Sequence, residues 1–220
     1  SQGQSLSAAL GVPFYAFSHQ QGHLAAAAWS AGHPELLEQP FLAWQLSGGT
    51  TELLRVEPAG EAWKCEILGG TSDISAGQLI DRTGVLLGLT FPAGKALDER
   101  YDPEAAAEPF RVRLREMTFS LSGMENKVQD MVRQGATPGQ IARFTLDTVT
   151  DVVLRATQEA QRRFPGLPVL CSGGVASNRR LRGVLTEACG AWFAQPQYAT
   201  DNALGIAILT RRAMERGECR

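Results

Sequence analysis

The spacing of apolar and polar residues divides the first third of the chain into helix-like and strand-like stretches. Residues 1–10 and 23–31 have helical composition, and a short buried strand is predicted over residues 12–17. Glycine- and proline-containing turns then separate three strand-like runs, which cover residues 41–46, 50–56 and 62–68. Three consecutive strands joined by short turns predict an antiparallel meander.

The rest of the chain alternates between helices and short apolar strands. Thr137 and Pro138 predict the N-cap and first turn of the longest helix, which extends to about Phe164. A charged surface loop is expected between Asp98 and Met117. Further helices are predicted at 75–89, at 124–133 and from Ser177 or Asn178 to Cys189, and a final helix is predicted after a cap at 200–202 and ends at about Arg216. Short strands are predicted at 167–171 and 191–194. A meander followed by alternating helices and strands predicts a layered α/β fold.

Composition limits the possible functions without choosing one. The 220 residues carry a formal net charge of −2 and are 44% hydrophobic, so nucleic-acid binding would need a local basic patch or another subunit. No apolar run reaches the ~20 residues that span a bilayer, and no membrane association is expected. The four cysteines have no metal-type spacing, and we expect them to be reduced thiols in a cytoplasmic protein.

Two histidines, His19 and His23, stand four residues apart near the start of the chain. On a helix this spacing puts both imidazoles on one face, within reach of one divalent metal ion. A third ligand would have to come from elsewhere in the chain, and Asp201 is the best-placed carboxylate for it. The alternatives remain open, because two solvated histidines and an N-cap aspartate would give the same pattern.

Two Ser-Gly-Gly turns each follow a predicted strand, one at Ser47–Gly49 and the other at Ser172–Gly174. Glycine lets backbone N–H groups approach an anion closely, so the pair indicates a phosphate cradle, although each could be an ordinary turn. Asp81 and Asp98 flank the helix that follows the meander. A carboxylate at a nucleotide site can accept hydrogen bonds from ribose hydroxyls, whereas the same residue elsewhere is a solvated surface charge.

Seven motifs in this order resemble the tRNA N6-threonylcarbamoyladenosine transferase (TsaD) family, long filed as O-sialoglycoprotein endopeptidases of peptidase family M22. They cover about residues 12–209 and read HxxGH, SGGT, DxxAGxxxDRT, FPxGxxLD, FSxSG, GGVAxNRxLR and TDN. The resemblance implies the α/β actin-like ATPase fold (ASKHA), in which a nucleotide lies between two ribonuclease-H-like lobes. It also implies a first-lobe remnant over residues 1–36 and a complete second lobe over residues 37–220.

The resemblance assigns roles to individual residues. It implies that His19, His23 and Asp201 bind one divalent iron or zinc ion. It implies that ATP or threonylcarbamoyl-adenylate contacts Gln45, Leu46, Ser47, Gly48, Gly49, Asp81, Gly94, Asp98, Gly173, Gly174 and Asn178. The implied reaction transfers a threonylcarbamoyl group to N6 of adenosine 37 in tRNA. It would take place within a larger complex that contains a homologous partner subunit or a second copy of the chain.

The sequence also departs from the family pattern. Gln21 and Gln78 replace glutamates and Glu125 replaces a lysine, while Thr50, Ile74 and Ala203 stand where the family usually has histidine, aspartate and glycine. The family's first phosphate loop is not seen before Val12. We therefore expect a divergent member and an N-terminally truncated fragment that is inactive alone. A metallopeptidase, or a non-catalytic paralogue that scaffolds a complex, remains an alternative to the transferase.

Overall fold

A computed structural model describes residues 2–59, 62–198 and 203–217 of the chain. Its seven strands form one mixed sheet with the order β4-β5-β3-β2-β1-β6-β7. They are Phe41–Leu46 (β1), Thr51–Ala59 (β2), Ala62–Thr71 (β3), Leu114–Arg115 (β4), Thr118–Phe119 (β5), Val169–Ser172 (β6) and Trp192–Phe193 (β7). β1, β2 and β3 are antiparallel neighbours, which confirms the meander, and β6 pairs with β1 in parallel.

Eight α-helices accompany the sheet in the described residues. They are Gln2–Leu10 (α1), His19–Ser30 (α2), Ala76–Leu86 (α3), Gly94–Glu99 (α4), Ser122–Arg133 (α5), Pro138–Arg163 (α6), Arg179–Cys189 (α7) and Leu204–Glu215 (α8). As the sequence predicts, α6 begins with a Thr137 cap followed by Pro138, and Gln140 completes the capping box. The predicted cap of α8 at 200–202 lies outside the described residues.

Two apolar cores lie on opposite sides of the sheet because side chains alternate along β1. Leu42 and Trp44 enter the larger core with residues of α3, α6 and α7, whereas Phe41 and Ala43 face α2. The indole Nε1 of Trp44 donates to Thr157 Oγ1 of α6 at 2.8 Å. The sheet is therefore the middle layer of a three-layer α/β arrangement.

Two predicted features differ from the structure. Residues 12–17 form no strand, and most of their side chains are exposed or half-buried. A strand needs a partner for its backbone hydrogen bonds, which an apolar sequence run cannot supply by itself. The charged loop after Asp98 does cross the surface, but its end forms β4 at the edge of the sheet. The division at residue 36 stays a prediction, and α2 packs against the same sheet as the later elements.

The described cysteines lie in buried or half-buried positions. The three described cysteines, Cys65, Cys171 and Cys189, form no disulfide. Burial raises the pKa of all three thiols, so the thiolate form is disfavoured. None of the described helices combines the length and the apolar character needed to cross a lipid bilayer.

Candidate functional site

The two histidines lie at the start of α2, and local sequence fixes this helix end. Ser18 is the N-cap: its side chain accepts from Gln21 N, and Gln21 Oε1 accepts from Ser18 N. Helix geometry then stacks His19 and His23 one turn apart, with 2.9 Å between their Nε2 atoms. The predicted convergence of the imidazoles is present in the structure.

A cavity of about 300 Å³, here called the histidine pocket, lies beside this helix end. Its other walls come from the carboxyl ends of the parallel neighbours β1 and β6. The lining residues are His19, Gln20, His23, Gln45, Leu46, Ser47, Thr50, Ser172, Gly173 and Tyr198. The imidazoles therefore face the first halves of both Ser-Gly-Gly turns.

A second cavity of about 380 Å³, here called the aspartate pocket, contains the second halves of the same turns. It is lined by Gly48, Gly77, Ile80, Asp81, Pro92, Gly94, Lys95, Asp98, Leu146, Gly174, Val175, Ser177 and Asn178. Ser47 lines one pocket and Gly48 the other, and Gly173 and Gly174 are divided in the same way. The two pockets are thus adjacent parts of one cleft.

Glycine is required where the cleft turns touch each other. Gly173 has φ +99°, and a Cβ there would overlap the carbonyl oxygen of Leu46. A Cβ on Gly77 would overlap the carbonyl oxygen of Ser47. These contacts bring the β1 turn against both the β6 turn and the start of α3, so larger side chains at either glycine would open the cleft.

Hydrogen bonds hold the two carboxylates of the aspartate pocket in place. Asp81 accepts from Ala93 N at 2.7 Å, directly before α4. Asp98 accepts from Asn178 Nδ2 at 2.7 Å and from Arg179 Nε at 2.9 Å. Asn178 also caps α7 by accepting from Leu181 N. The carboxylate of α4 and the start of α7 are therefore fixed relative to one another across the cleft.

Ten of the eleven residues predicted to contact the nucleotide or adenylate line one of these pockets. The exception is Gly49, which lies in the same turn and donates its N–H to Ser47 Oγ. Sequence reasoning missed several lining residues. Lys95 adjoins the motif glycine Gly94, and Gly77 is itself the glycine of the DxxAGxxxDRT motif, so both could have been found from the motifs, whereas nothing in the local sequence marks Tyr198.

The predicted third metal ligand, Asp201, lies outside the described residues. Within the described part of the chain, no group of three His, Cys, Asp or Glu side chains could hold a metal. The histidine pair itself fits a shared ion. Two nitrogens each about 2.0–2.1 Å from one ion are about 2.8–3.4 Å apart for bond angles of about 90–109°, and the observed separation of 2.9 Å lies at the small-angle end of this range.

Comparison with known proteins agrees with the motif order. Residues 1–208 match the family model "TsaD: tRNA N6-adenosine threonylcarbamoyltransferase". The chain belongs to the TsaD family. The tRNA N6-adenosine threonylcarbamoyltransferases from Thermus thermophilus and Verminephrobacter eiseniae are 35% and 33% identical to this chain over 97% of its length. The chain spans 65% and 64% of the length of these two relatives.

Solved structures support the actin-like ATPase fold. Full-length HypF in a phosphate- and nucleotide-bound form covers 95% of the TsaD chain with a TM-score of 0.73 at 12% identity, over 44% of its own length. HypF from T. kodakarensis covers 98% of the chain with a TM-score of 0.68 at 14% identity, over 39% of its own length. At these identities the similarity concerns the fold alone.

Several departures from the TsaD pattern have structural roles. Gln21 and Gln78 both occupy the third helical position of a capping box and accept from the backbone N–H of Ser18 and Ser75. Glutamine makes this bond as glutamate does, so the change from glutamate leaves the helix starts intact. Glu125 forms an ion pair with Arg82, which joins α5 to α3.

Proposed function

We propose that the cleft binds ATP or threonylcarbamoyl-adenylate and that the full-length protein transfers threonylcarbamoyl to N6 of adenosine in tRNA. The observation that carries the proposal is the adjacency of the two pockets. Each of the two glycine turns contributes neighbouring residues to both pockets. The histidine pocket contains the paired imidazoles, and the aspartate pocket contains the two fixed carboxylates. Such a cleft suits a ligand with a nucleoside at one end and a reactive acyl group at the other.

The aspartate pocket is the proposed nucleoside site. Asp81 and Asp98 keep acceptor capacity beyond their protein bonds because a carboxylate offers about four lone-pair positions. These positions suit ribose hydroxyls, while backbone N–H groups of the two glycine turns suit phosphate oxygens. Apolar side chains of Ile80, Leu146 and Val175 also line the pocket, and they suit the face of a base.

The histidine pocket is the proposed metal and acyl end of the cleft. His19 and His23, with Asp201 as third ligand, would hold one iron or zinc ion, since imidazole suits both metals. A metal bound there would supply Lewis-acid stabilisation of charge on a carbonyl oxygen. The protein groups orient the acyl end: α2 fixes the imidazoles, and Ser47, Thr50 and Ser172 offer hydroxyl groups along the pocket wall.

The proposed setting is a cytoplasmic complex in which the tRNA and a homologous subunit, or a second copy of the chain, meet the cleft. The relatives are tRNA N6-adenosine threonylcarbamoyltransferases, which supports tRNA as substrate. The metallopeptidase alternative has less support, because neither Gln20 nor Gln21 can act as a general base and the Gln21 amide caps α2.

Metal analysis tests the first half of the proposal. In the full-length protein, His19→Ala should lose most of the bound iron or zinc, because one of the two converging nitrogens is gone. His33→Ala is the matched control, since His33 stacks on Trp192 and bonds Glu35 instead. Wild type and His33→Ala should each bind about one metal ion per chain. Equal metal content in His19→Ala would contradict the proposed metal site.

Nucleotide binding and transfer test the second half. Asn178→Ser keeps a good N-cap for α7 but removes the donor to Asp98. We expect near-normal thermal stability and roughly tenfold weaker nucleotide binding, as for loss of one hydrogen bond to a charged group. Unchanged binding would argue against the aspartate pocket. Failure of the full-length wild type to restore threonylcarbamoyladenosine in a deficient strain would favour a non-catalytic scaffold.

A further inference from the structure

The segment that leads into and includes β4 carries three arginines at alternate positions. Arg111, Arg113 and Arg115 are exposed, whereas Val112 between them is buried and Leu114 is half-buried against the larger core. β4 is the last strand in the sheet order, with β5 as its neighbour. The three side chains, here called the arginine edge, therefore project from the outer side of the sheet.

No described residue forms an ion pair or hydrogen bond with the three guanidinium groups. Other arginines of this chain are neutralised: Arg155 pairs with Asp151, Arg162 with Glu159 and Arg180 with Asp147. The net charge of −2 makes a run of unpaired cations a local departure from the composition. With so small a net charge, the chain itself would need a local basic patch of this kind to bind nucleic acid.

The backbone of the segment is held against α6, which presents the arginine edge in one arrangement. Phe110 N donates to Thr148 Oγ1 at 2.9 Å, and the guanidinium of Arg155 donates to Val112 O at 2.8 Å. Leu114 and Arg115 pair with Phe119 and Thr118 in the hairpin. A fixed backbone lowers the entropy cost of binding, because the side chains alone must become ordered.

Further cations lie beside the arginine edge. Lys127 of α5 sits 4.2 Å above the Phe110 ring, and Arg163 at the end of α6 reaches Glu116 at 3.6 Å. The exposed carboxylate of Glu116 is thus paired with Arg163 and not with the arginine edge. The surface has Phe110 as its exposed large apolar residue, and that ring is covered by Lys127.

We propose that the arginine edge binds the phosphate backbone of RNA. An RNA phosphate needs charge and bidentate donors, which exposed guanidinium groups supply. A protein partner would need a larger apolar centre for its interface, whereas the exposed Phe110 ring, with Lys127 above it, is what the described residues of this surface offer. The identification of the polyanion as tRNA rests on the proposed function, whereas the charge complementarity comes from the surface itself. The contacts would position the RNA without reading its sequence.

Protection of the sheet edge is the competing explanation. Charged side chains on a short edge strand discourage pairing with another chain. This explanation requires no RNA. It predicts aggregation when the arginines are neutralised, with RNA binding unchanged.

Salt-dependent binding separates the two explanations. The natural full-length protein, in the complex in which it purifies, is titrated with a tRNA transcript at 50–200 mM salt. Each phosphate contact contributes about 0.7–0.9 to the slope of log K against log salt. The triple variant Arg111→Gln, Arg113→Gln, Arg115→Gln should lower that slope by about 2 to 3 and weaken binding at least about tenfold. The matched control neutralises the exposed cations Lys64, Arg133 and Arg211 and should keep both values.

Three results would overturn the inference: unchanged affinity and slope in the triple variant, aggregation with normal RNA affinity, or loss of a partner protein with RNA affinity intact. Wild-type protein that binds no transcript at 50 mM salt would also overturn it. Metal and nucleotide binding are measured without RNA, so failure of the proposed cleft function is seen separately. Slope changes of the expected size in a protein without transfer activity would support the arginine edge and contradict the transferase.

Discussion

At the scale of single residues, Asp73 links two loops through one carboxylate. It accepts from Leu121 N and Ile74 N, both at 2.8 Å, and from the hydroxyls of Ser120 and Thr71. Burial by itself would raise the pKa of Asp73, but the hydrogen bonds from Ser120, Leu121, Ser122 and Thr71 outweigh it and hold the pKa well below its usual range. The ionised carboxylate therefore fastens the start of α5 to the end of β3.

The lowered pKa of Asp73 predicts a dependence of stability on acid. Its contribution should be complete above the unfolded pKa of about 3.9 and be lost as the pH falls toward the folded pKa. The unfolding midpoint of Asp73→Asn should lie below that of wild type at pH 6, and the gap should shrink between pH 4 and pH 2. Chemical denaturation at each pH measures the gap.

The matched control for Asp73 is Asp130→Asn, which changes an exposed carboxylate bonded to Arg133 at the end of α5. It should change the midpoint little at any pH, as expected for an exposed ion pair. A constant gap between wild type and Asp73→Asn from pH 6 to pH 2 would show that the carboxylate charge does not fasten these loops.

At the scale of elements, the contact between α2 and α8 depends on two glycines. A Cβ on Gly205 of α8 would overlap the carbonyl oxygen of Gly22 in α2, and a Cβ on Gly22 would meet Ile206 at 3.0 Å. Gly22 lies between His19 and His23 in the sequence, so the same helix carries the imidazoles and the tight contact. The glycine of the HxxGH motif thus has a packing role beside the proposed metal role of the histidines.

Alanine at Gly205 should therefore destabilise the protein by about 1–3 kcal/mol, as expected for overpacking, and should also lower metal content by displacing α2. Gly183→Ala is the matched control, because Gly183 is a helical residue of α7 with no atom within 4 Å of an added Cβ. That change should stabilise the protein by about 0.5–1 kcal/mol. Thermal unfolding and metal analysis of both variants give the comparison. Equal stability of the two variants would contradict the tight α2–α8 contact.

At the scale of the whole molecule, one strand serves both cores. Phe41 and Ala43 of β1 face the α2 side, and Leu42, Trp44 and Leu46 face the α6 side. Neither core can lose its packing without exposing a face of the same sheet. The layers on the two sides of the sheet should therefore unfold together, although the family resemblance predicts that α2 belongs to a separate unit that ends at residue 36.

A single unfolding transition is the expected result for this chain. Leu24 of α2 is 1% exposed, and Leu24→Ala should lower the free energy of unfolding by about 2–5 kcal/mol. Tryptophan fluorescence and far-ultraviolet circular dichroism should report the same shifted midpoint. Two transitions, with only one shifted by Leu24→Ala, would instead support an independent unit over residues 1–36.

Local sequence predicted those features that depend on a few neighbouring residues. Thr137 and Pro138 marked the start of α6, and Ser177 or Asn178 marked the start of α7, where Asn178 is the cap. Three strand-like runs joined by short turns marked the meander. The ordered motifs identified the family and with it the residues of the cleft. Residues 12–17 show the limit of local pattern, because their apolar run meets no partner strand among the described residues.

The sequence by itself determined where helices begin, which strand faces are apolar and which residue types could bind a nucleotide or a metal. These properties follow from interactions over one to four positions along the chain. Only the tertiary structure decided that Asp98 meets Asn178, 80 positions away, and that Gly173 touches Leu46. It also decided that the arginine edge has no described partner. Such contacts depend on strand order and helix packing, which bring together residues that local pattern cannot relate.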